Sequence, residues 1–172
     1  MSFFNYCPKC SSAHIQFENN RRLECLDCGM VYFHNVASAV AVILEKEGKV
    51  LFTIRNRAPK TGKLDLPGGF TDPDESAEQT CSRELKEELN LDMKPSDFHY
   101  FISFPNDYDY KGIPYKTEDL IFTAQLPDSV DLQLEKSEIQ AVKWIKKSEI
   151  DWSEIGFDSL RKAIQIYIEK LP

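Results

Sequence analysis

The feature that most constrains the fold of this 172-residue chain is a turn region, rich in glycine and proline, that leads directly into a helix. The turn region covers residues 56–74, and the helix is predicted to run from residue 75 or 76 to residue 90. Two capping-box patterns, one beginning at Asp72 and one at Ser76, can each start it. Asn90 suits the left-handed position at its end. The pattern therefore predicts a loop–helix junction within a folded domain.

One side of this predicted helix is acidic. The opposite, buried side carries an apolar residue at every fourth position: Ala77, Cys81, Leu85 and Leu89. Glu84, Glu87 and Glu88 share an arc about 100° wide, where like charges cost roughly a few tenths of a kcal/mol per pair. Such a cluster suits either a solvated helix face or a site for hard divalent cations, which prefer oxygen ligands. On the helix alone, both interpretations stay open.

Together with the preceding loop, the helix resembles the signature of the Nudix hydrolase family. The signature positions that agree with the family pattern are Gly69, Glu75, Arg83, Glu84, Leu85, Glu87, Glu88 and Leu91. The one departure is Asn90, where the family has glycine, and asparagine is the commonest substitute for glycine in a left-handed helix cap. The segment Leu-Pro-Gly-Gly at 66–69, which leads into the signature and ends on its first glycine, also looks like that of a Nudix domain.

The resemblance implies hydrolysis of a diphosphate linkage between a nucleoside diphosphate and another group, with Mg²⁺ or Mn²⁺. Glu87 and Glu88 would be metal ligands, and Glu84 a further ligand or the base that acts on water. The carbonyl of Gly68 would complete the site. This agrees with physical expectation, because cations neutralise the diphosphate oxygens and lower the pKa of the attacking water.

Other site residues follow from the resemblance or from position. Arg83 would pair with a neighbouring glutamate, and Glu75 would orient the helix through such a pair. Further candidates for the base lie later in the chain: Glu118, Asp119, Glu135 and Glu138. The candidates for substrate binding are basic residues that can meet phosphate and tyrosines that can contact a nucleobase: Arg55, Arg57, Tyr108 and Tyr110. Solvated charges and tyrosines packed within a long loop remain the alternatives.

Four cysteines near the start of the chain form two Cys-X-X-Cys pairs: Cys7, Cys10, Cys25 and Cys28. This spacing lets four thiolates converge on one zinc ion, and Gly29 gives the second turn its positive φ. All four positions are thiolates, so the predicted zinc is structural. Two disulfides or a redox pair are the alternatives, but an export signal is missing and a redox motif needs a single pair.

The expected fold is α+β, with a small zinc ribbon at residues 1–34 and a Nudix-type α/β/α sandwich around a mixed sheet at residues 35–172. A zinc ribbon ahead of the domain resembles the branch of the family that includes NADH pyrophosphatases. Within the ribbon, residues around 19–20 are predicted to form a hairpin. In the second domain, strands are predicted at 36–44, 50–55, 98–104, 119–126 and 139–145, a loop at 105–114, and a final helix at 157–171 ending at Pro172.

Charge and hydropathy exclude some classes of protein. The net charge of −7 does not suit sequence-independent nucleic-acid binding, so an RNA cap is the one nucleic-acid substrate considered. The longest apolar run, at 36–44, is far shorter than the ~20 residues of a membrane span. The N-terminus also lacks the pattern of a signal peptide, so a cytoplasmic location is expected.

The substrate expectation favours ADP-ribose-like compounds, or another dinucleotide or nucleotide sugar, over NADH and over oxidised nucleoside triphosphates. The NADH-specific branch carries a Ser-Gln-Pro-Trp-Pro-Phe-Pro type stretch, whereas this chain has Ser-Phe-Pro-Asn at 103–106 with no tryptophan. NADH or NAD-capped RNA therefore stands as an alternative substrate. A non-catalytic Nudix-fold sensor or docking module is the alternative from another class. Nudix proteins often dimerise, so a homodimer is also considered.

Overall fold

A computed structural model describes residues 4–19, 21–126 and 130–170. Its contacts divide the chain into two compact units, Met1–Val36 and Ala37–Pro172. Among the helices of these described ranges, none combines the length and the apolar character that a membrane crossing needs.

The first unit contains a three-stranded antiparallel sheet in the order β1-β2-β3. Its strands are β1 (Ile15–Glu18), β2 (Arg22–Cys25) and β3 (Val31–Phe33). The predicted hairpin is present as β1 and β2, although Asn20 at its turn lies outside the described residues. Leu23 and Cys25 are fully buried, so the small apolar centre of this unit adjoins its cysteines.

The second unit is a mixed sheet with two helices. The sheet order is β6-β5-β4-β8-β7, with β9 paired to β5; β4 and β8 are parallel, and the other pairs are antiparallel. Its elements are β4 (Ala37–Lys46), β5 (Lys49–Arg55), β6 (Leu64–Asp65), α1 (Ala77–Leu89), β7 (His99–Tyr110), β8 (Ile113–Gln125), β9 (Ile139–Lys146) and α2 (Asp158–Lys170). Short 3₁₀ turns lie at Pro95–Asp97 and Lys147–Glu149.

Strand β4 lies at the centre of a sandwich because both of its faces are covered. Val42 belongs to the core cluster that contains Leu85 of α1, whereas Ile43 belongs to the cluster that contains Ile164 of α2. Successive side chains of a strand point to opposite faces, so the two helices cover opposite sides of the sheet. The predicted Nudix-type α/β/α sandwich is confirmed, and double-sided burial explains the continuous apolar run.

The predicted loop at 105–114 is wrong. Strands β7 and β8 extend through most of it as one long hairpin that turns at Lys111 and Gly112. Pro105 pairs with Glu118 inside this hairpin. Proline is tolerated there because β7 is the edge strand of the sheet and needs no donor on its outer side.

The glycine-rich segment at 67–71 lies directly beside β4. Strands β4 and β5 pair only next to their hairpin, and further along this segment bonds to β4 instead. The Val42 N–H donates to the Pro67 carbonyl at 2.9 Å, and the Val40 N–H donates to the Gly69 carbonyl at 2.8 Å. The loop is therefore fixed along the edge of the central strand, and Gly68 and Gly69 also meet Glu88 and Glu84.

Candidate active site

Local capping interactions fix both ends of helix α1. Ser76 is its N-cap: the Ser76 hydroxyl accepts from the Gln79 N–H, and the Gln79 side chain accepts from the Ser76 N–H at 2.7 Å. The capping box is thus the one that begins at Ser76. Asn90 ends the helix with φ 56°, which confirms the left-handed position predicted for it. These caps fix the rotation at which α1 presents its glutamates.

Arg83 holds the acidic side of α1 together. Its Nε donates to Glu75 Oε1 at 2.8 Å, and its Nη1 donates to Glu84 Oε1 at 2.8 Å and to Glu87 Oε2 at 3.2 Å. Its Nη2 also donates to the Phe70 carbonyl at 2.9 Å, which ties the helix to the loop. The Arg83 guanidinium lowers the pKa of Glu75 to about 2. One cation therefore offsets the repulsion among neighbouring carboxylates.

Two of the helix glutamates are buried. Glu88 accepts the Gly68 N–H at 3.0 Å, and Glu84 accepts from Arg83. Burial raises the pKa of Glu88 well above its ordinary value, and it raises that of Glu84 as well. Glu87 is 58% exposed. The cluster therefore contains two buried carboxylates, which are costly to ionise, and one carboxylate, that of Glu87, which faces solvent.

Glu88→Gln is expected to stabilise the metal-free protein at pH 8 by about 1 kcal/mol. Because folding raises the pKa of Glu88, the protonated carboxyl contributes its full stabilisation when the pH lies below the ordinary pKa of 4.5. This stabilisation is lost as the pH rises through the raised pKa of the folded protein. Urea unfolding at pH 8 and pH 4.5 measures the difference, with Glu169→Gln on α2 as the matched control. A Glu88→Gln advantage that fails to shrink at pH 4.5 would contradict this account.

Gly68 approaches the central strand too closely for any side chain. A Cβ there would lie 2.2 Å from the Val40 carbonyl oxygen, and its φ is +145°. At Gly69, a Cβ would lie 2.4 Å from the Glu84 carboxylate. Gly68 is therefore required for the loop to lie against β4, whereas a side chain at position 69 would displace the Glu84 carboxylate.

Gly68→Ala is expected to destabilise the protein by about 3 kcal/mol, because backbone must move to relieve the clash. Gly62→Ala is the control, since Gly62 has φ +82° but nothing within 4 Å of the added Cβ. It should cost only about 1 kcal/mol. Thermal unfolding of both variants separates the clash from the backbone strain, and equal losses would refute the steric argument.

A wide groove of about 540 Å³ lies along the acidic side of α1. We call it the glutamate groove, and its charged lining residues are Arg57, Asp72, Arg83, Glu84, Glu87, Glu88, Glu135 and Glu138. The segment after β8 reaches it because the Glu135 N–H donates to the Glu88 carbonyl at 3.0 Å. Asn56 also fixes this segment, by donating to the Lys136 and Glu138 carbonyls.

The base candidates occupy different places. Glu135 and Glu138 line the glutamate groove. Glu138 pairs with Arg57 at 2.5 Å. Asp119 is buried elsewhere, and Glu118 is exposed on the β7–β8 hairpin. Only the first two are therefore gathered with the α1 glutamates.

A second, narrow cavity of about 70 Å³ adjoins the groove, since Arg57 and Phe70 line both. We call it the aromatic cavity; residues that define it are Arg55, Asp65, Asn106, Tyr108, Asp119 and Phe157. Of the predicted substrate-binding residues, Arg55, Arg57 and Tyr108 line this cavity. Tyr110 is not part of the lining of either space, and Lys111 lies over its ring.

Sequence reasoning missed several residues of the aromatic cavity. Asp65 forms a 2.5 Å ion pair with Arg55, and the Phe157 ring stacks on Tyr108 with centroids 5.8 Å apart. Asp119 was considered only as a base, but it accepts hydrogen bonds from Thr117 at 2.7 Å and Ser159 at 2.6 Å. One sequence signal could have identified a residue of this cavity: Asp65 is an acidic residue within an apolar stretch.

The donor set of the glutamate groove suits a hard cation. It offers several carboxylate oxygens, and buried Glu88 gains a compensating charge from a bound ion. Within the described residues, these oxygens do not form a cluster with all atoms within 4.8 Å, as the cysteines do. An open set of this kind fits Mg²⁺, which binds through few carboxylates and keeps several waters.

The four cysteines form a compact cluster in the first unit. Their Sγ atoms all lie within 4.8 Å of one another, with Cys7 and Cys28 3.7 Å apart and Cys10 and Cys25 3.6 Å apart. Four sulfurs at ~2.3 Å around one zinc ion stand about 3.8 Å apart, so the geometry permits tetrahedral zinc. The thiols are free, and Gly29 has the positive φ expected of it, 68°.

The sandwich and the acidic helix beside a glycine-rich loop define a Nudix-type hydrolase fold. A model of the NUDIX domain family matches residues 34–165, and the chain belongs to this family. Among solved structures, it is similar to a NUDIX hydrolase from Nitrosomonas europaea, with a TM-score of 0.72, 25% identity, and coverage of 98% of this chain and 92% of the other.

Two further relatives concern nucleotide ligands. The NUDIX domain of Shewanella oneidensis NrtR, complexed with ADP ribose, is 26% identical, with a TM-score of 0.64 and coverage of 81% and 91%. The NAD-capped RNA hydrolase NudC of Vibrio atlanticus is 30% identical over 58% of this chain and 36% of its own length. The chain thus spans little more than a third of that curated relative.

Proposed function

We propose that this protein hydrolyses a diphosphate linkage in a nucleoside diphosphate derivative and depends on Mg²⁺ or Mn²⁺. The observation that carries the proposal is the glutamate groove, where carboxylates from α1 and from the 135–138 segment meet beside the glycine loop. Arg83 keeps three of the acidic side chains in one place. Such an arrangement holds cations against an anionic substrate, which a carboxylate cluster alone would repel.

The proposed ligands are Glu87 and Glu88, together with the Gly68 carbonyl, and Glu84 is either a further ligand or the base. A bound divalent cation neutralises diphosphate oxygens and lowers the pKa of water. Gly68 fixes the Glu88 carboxylate through its N–H, and Arg83 fixes Glu84 and Glu87. Glu75 acts indirectly, because its two hydrogen bonds to Arg83 set the position of that guanidinium.

The proton of the attacking water needs an acceptor. Burial raises the pKa of Glu84 above its ordinary value, which brings it closer to the range that general bases use. Glu138 lines the same groove and is held by Arg57. We assign the role to Glu84 or Glu138. Arg57 stands where the two spaces meet, so its guanidinium is suited to the substrate phosphates, while Arg55 and Tyr108 contact the group beyond them.

A second candidate is hydrolysis of NADH or NAD-capped RNA. It is favoured by the curated relatives, which include several NudC proteins described as NAD-capped RNA hydrolases. Against it stands the Phe-Pro-Asn sequence after Ser103, which lacks the tryptophan of the NADH-specific stretch. A similar NUDIX domain, solved in complex with ADP ribose, keeps a non-catalytic ligand sensor as a further alternative.

The deciding experiment is product analysis by chromatography, with Mg²⁺ or Mn²⁺. The substrates are ADP-ribose, NADH, sugar nucleotides, nucleoside triphosphates and NAD-capped RNA. We expect metal-dependent release of a nucleoside monophosphate, fastest from ADP-ribose or another nucleotide sugar. Preference for NADH or capped RNA would favour the second candidate. Binding of these compounds with no turnover would replace the enzyme proposal with the sensor.

We also propose a domain division at residues 34–35, with the four cysteines holding one structural zinc ion. In this arrangement the zinc stabilises the ribbon and takes no part in hydrolysis, because thiolates fill all four coordination positions.

A further inference from the structure

Arg55 carries a hydrogen-bond donor that the protein leaves unused. Its Nε donates to the Pro59 carbonyl at 2.7 Å, and its Nη1 donates to Asp65 at 2.5 Å. Its Nη2 is buried and has no hydrogen-bond partner, the one such side-chain atom in the described ranges. Buried donors are nearly always satisfied, so this atom indicates that a ligand supplies the acceptor.

Asp119 provides acceptors in the same cavity. Its two oxygens receive hydrogen bonds from Thr117 and Ser159, and the Asn106 side chain donates to the same carboxylate. A carboxylate offers about four lone-pair sites, so one remains for a ligand. Its side chain is buried, and the desolvation raises its pKa. The cavity therefore combines a free donor with a free acceptor site.

The remaining walls favour a flat, uncharged group. Tyr108 and Phe157 supply aromatic surface, and the Arg55 guanidinium lies 5.2 Å from the centre of the Phe157 ring. Arg55 is paired with Asp65 and Arg57 with Glu138, so Asp119 is the charged lining residue that no ion pair among the described residues neutralises. A phosphate or a carboxylate is repelled there, whereas a heterocycle that displays both an acceptor and an N–H donor fits.

We propose that the aromatic cavity recognises an uncharged nucleobase or carboxamide ring, read by Arg55 Nη2 and Asp119. This inference rests on the proposed function, because it places the ring beyond a diphosphate held at the glutamate groove. The two spaces adjoin at Arg57 and Phe70, which gives one substrate access to both. Arg55 and Asp119 are thus specificity-determining residues.

The test measures binding without phosphate, metal or turnover. Adenosine, guanosine, uridine and nicotinamide are titrated by ligand-observed NMR, with ribose 5-phosphate as the ring-free comparison. We expect at least one ring compound to bind at least about fivefold more tightly than ribose 5-phosphate, the equivalent of one hydrogen bond. The compound that binds best identifies the ring.

Two variants assign the binding to the named atoms. Arg55→Lys keeps a charge beside Asp65 but removes the Nη2 donor, and Asp119→Asn replaces one acceptor by a donor. Each should weaken ring binding at least about fivefold. Arg161→Lys, on α2 outside the cavity lining, is the matched control and should leave it unchanged. Thermal unfolding checks each fold, and Arg55→Lys decides the question if Asp119→Asn does not fold.

Failure of this inference differs from failure of the proposed function. If no ring compound binds better than ribose 5-phosphate, or if folded Arg55→Lys binds like the native protein, the inference is overturned. The inference can be supported without hydrolysis. If a ring compound binds the native protein and both variants lose that binding, the inference holds even if no compound in the substrate panel is turned over.

Discussion

Glu87→Gln is expected to lower the turnover of the best substrate by about 10³-fold, corresponding to the several kcal/mol that a catalytic cation supplies. Glu87 is 58% exposed, so the change disturbs little packing. It removes one negative charge from the proposed cation ligands and retains the shape of the side chain. The measurement is steady-state kcat across a titration of Mg²⁺ and Mn²⁺, which separates weaker metal binding from slower chemistry.

Glu169→Gln is the matched control, because it makes the same substitution at an exposed position on the other helix. It should retain native turnover. Glu87 is also one partner of Arg83, so thermal unfolding of both variants must show that α1 stays in place. A folded Glu87→Gln protein with turnover within about threefold of native at saturating metal would remove Glu87 from the ligand set.

Local features of the structure were predictable from sequence. The Ser76 capping box and the left-handed Asn90 depend on neighbours within a few residues, so their patterns identify the ends of α1. The sandwich also follows from pattern, because the continuous apolar run of β4 requires cover on both faces. The acidic side of α1 was also predictable, because helical periodicity places Glu84, Glu87 and Glu88 on one side of the helix.

The sequence predicted Arg55, Arg57 and Tyr108 of the aromatic cavity but not the rest of its lining, because the other contacts join distant parts of the chain. Arg57 and Glu138 pair across 81 positions, and Ser159 donates to Asp119 across 40. No local pattern encodes such pairs. The loop predicted at 105–114 is instead part of the β7–β8 hairpin, and only the sheet order shows that β7 lies at an edge, where Pro105 is tolerated.

Cys25→Ser is expected to abolish zinc binding and unfold the first unit. Units below ~40 residues usually need a metal or disulfides, and a structural zinc contributes roughly 10–16 kcal/mol to such folds. This far exceeds what burial of Leu23 and its few neighbours can supply. Zinc content by elemental analysis should fall from one ion per chain to none. Amide NMR signals of the first unit should collapse to unfolded positions, whereas those of the sandwich persist.

Cys81→Ala is the matched control for the loss of a thiol. Cys81 is buried on α1, apart from the thiol cluster, so its loss should leave zinc content at one ion per chain. Chelation of zinc from the native protein should reproduce the spectrum of Cys25→Ser, and added zinc should reverse it. If Cys25→Ser keeps dispersed signals for residues 4–36, the ribbon is stabilised by its apolar contacts, and the assignment of a structural zinc fails.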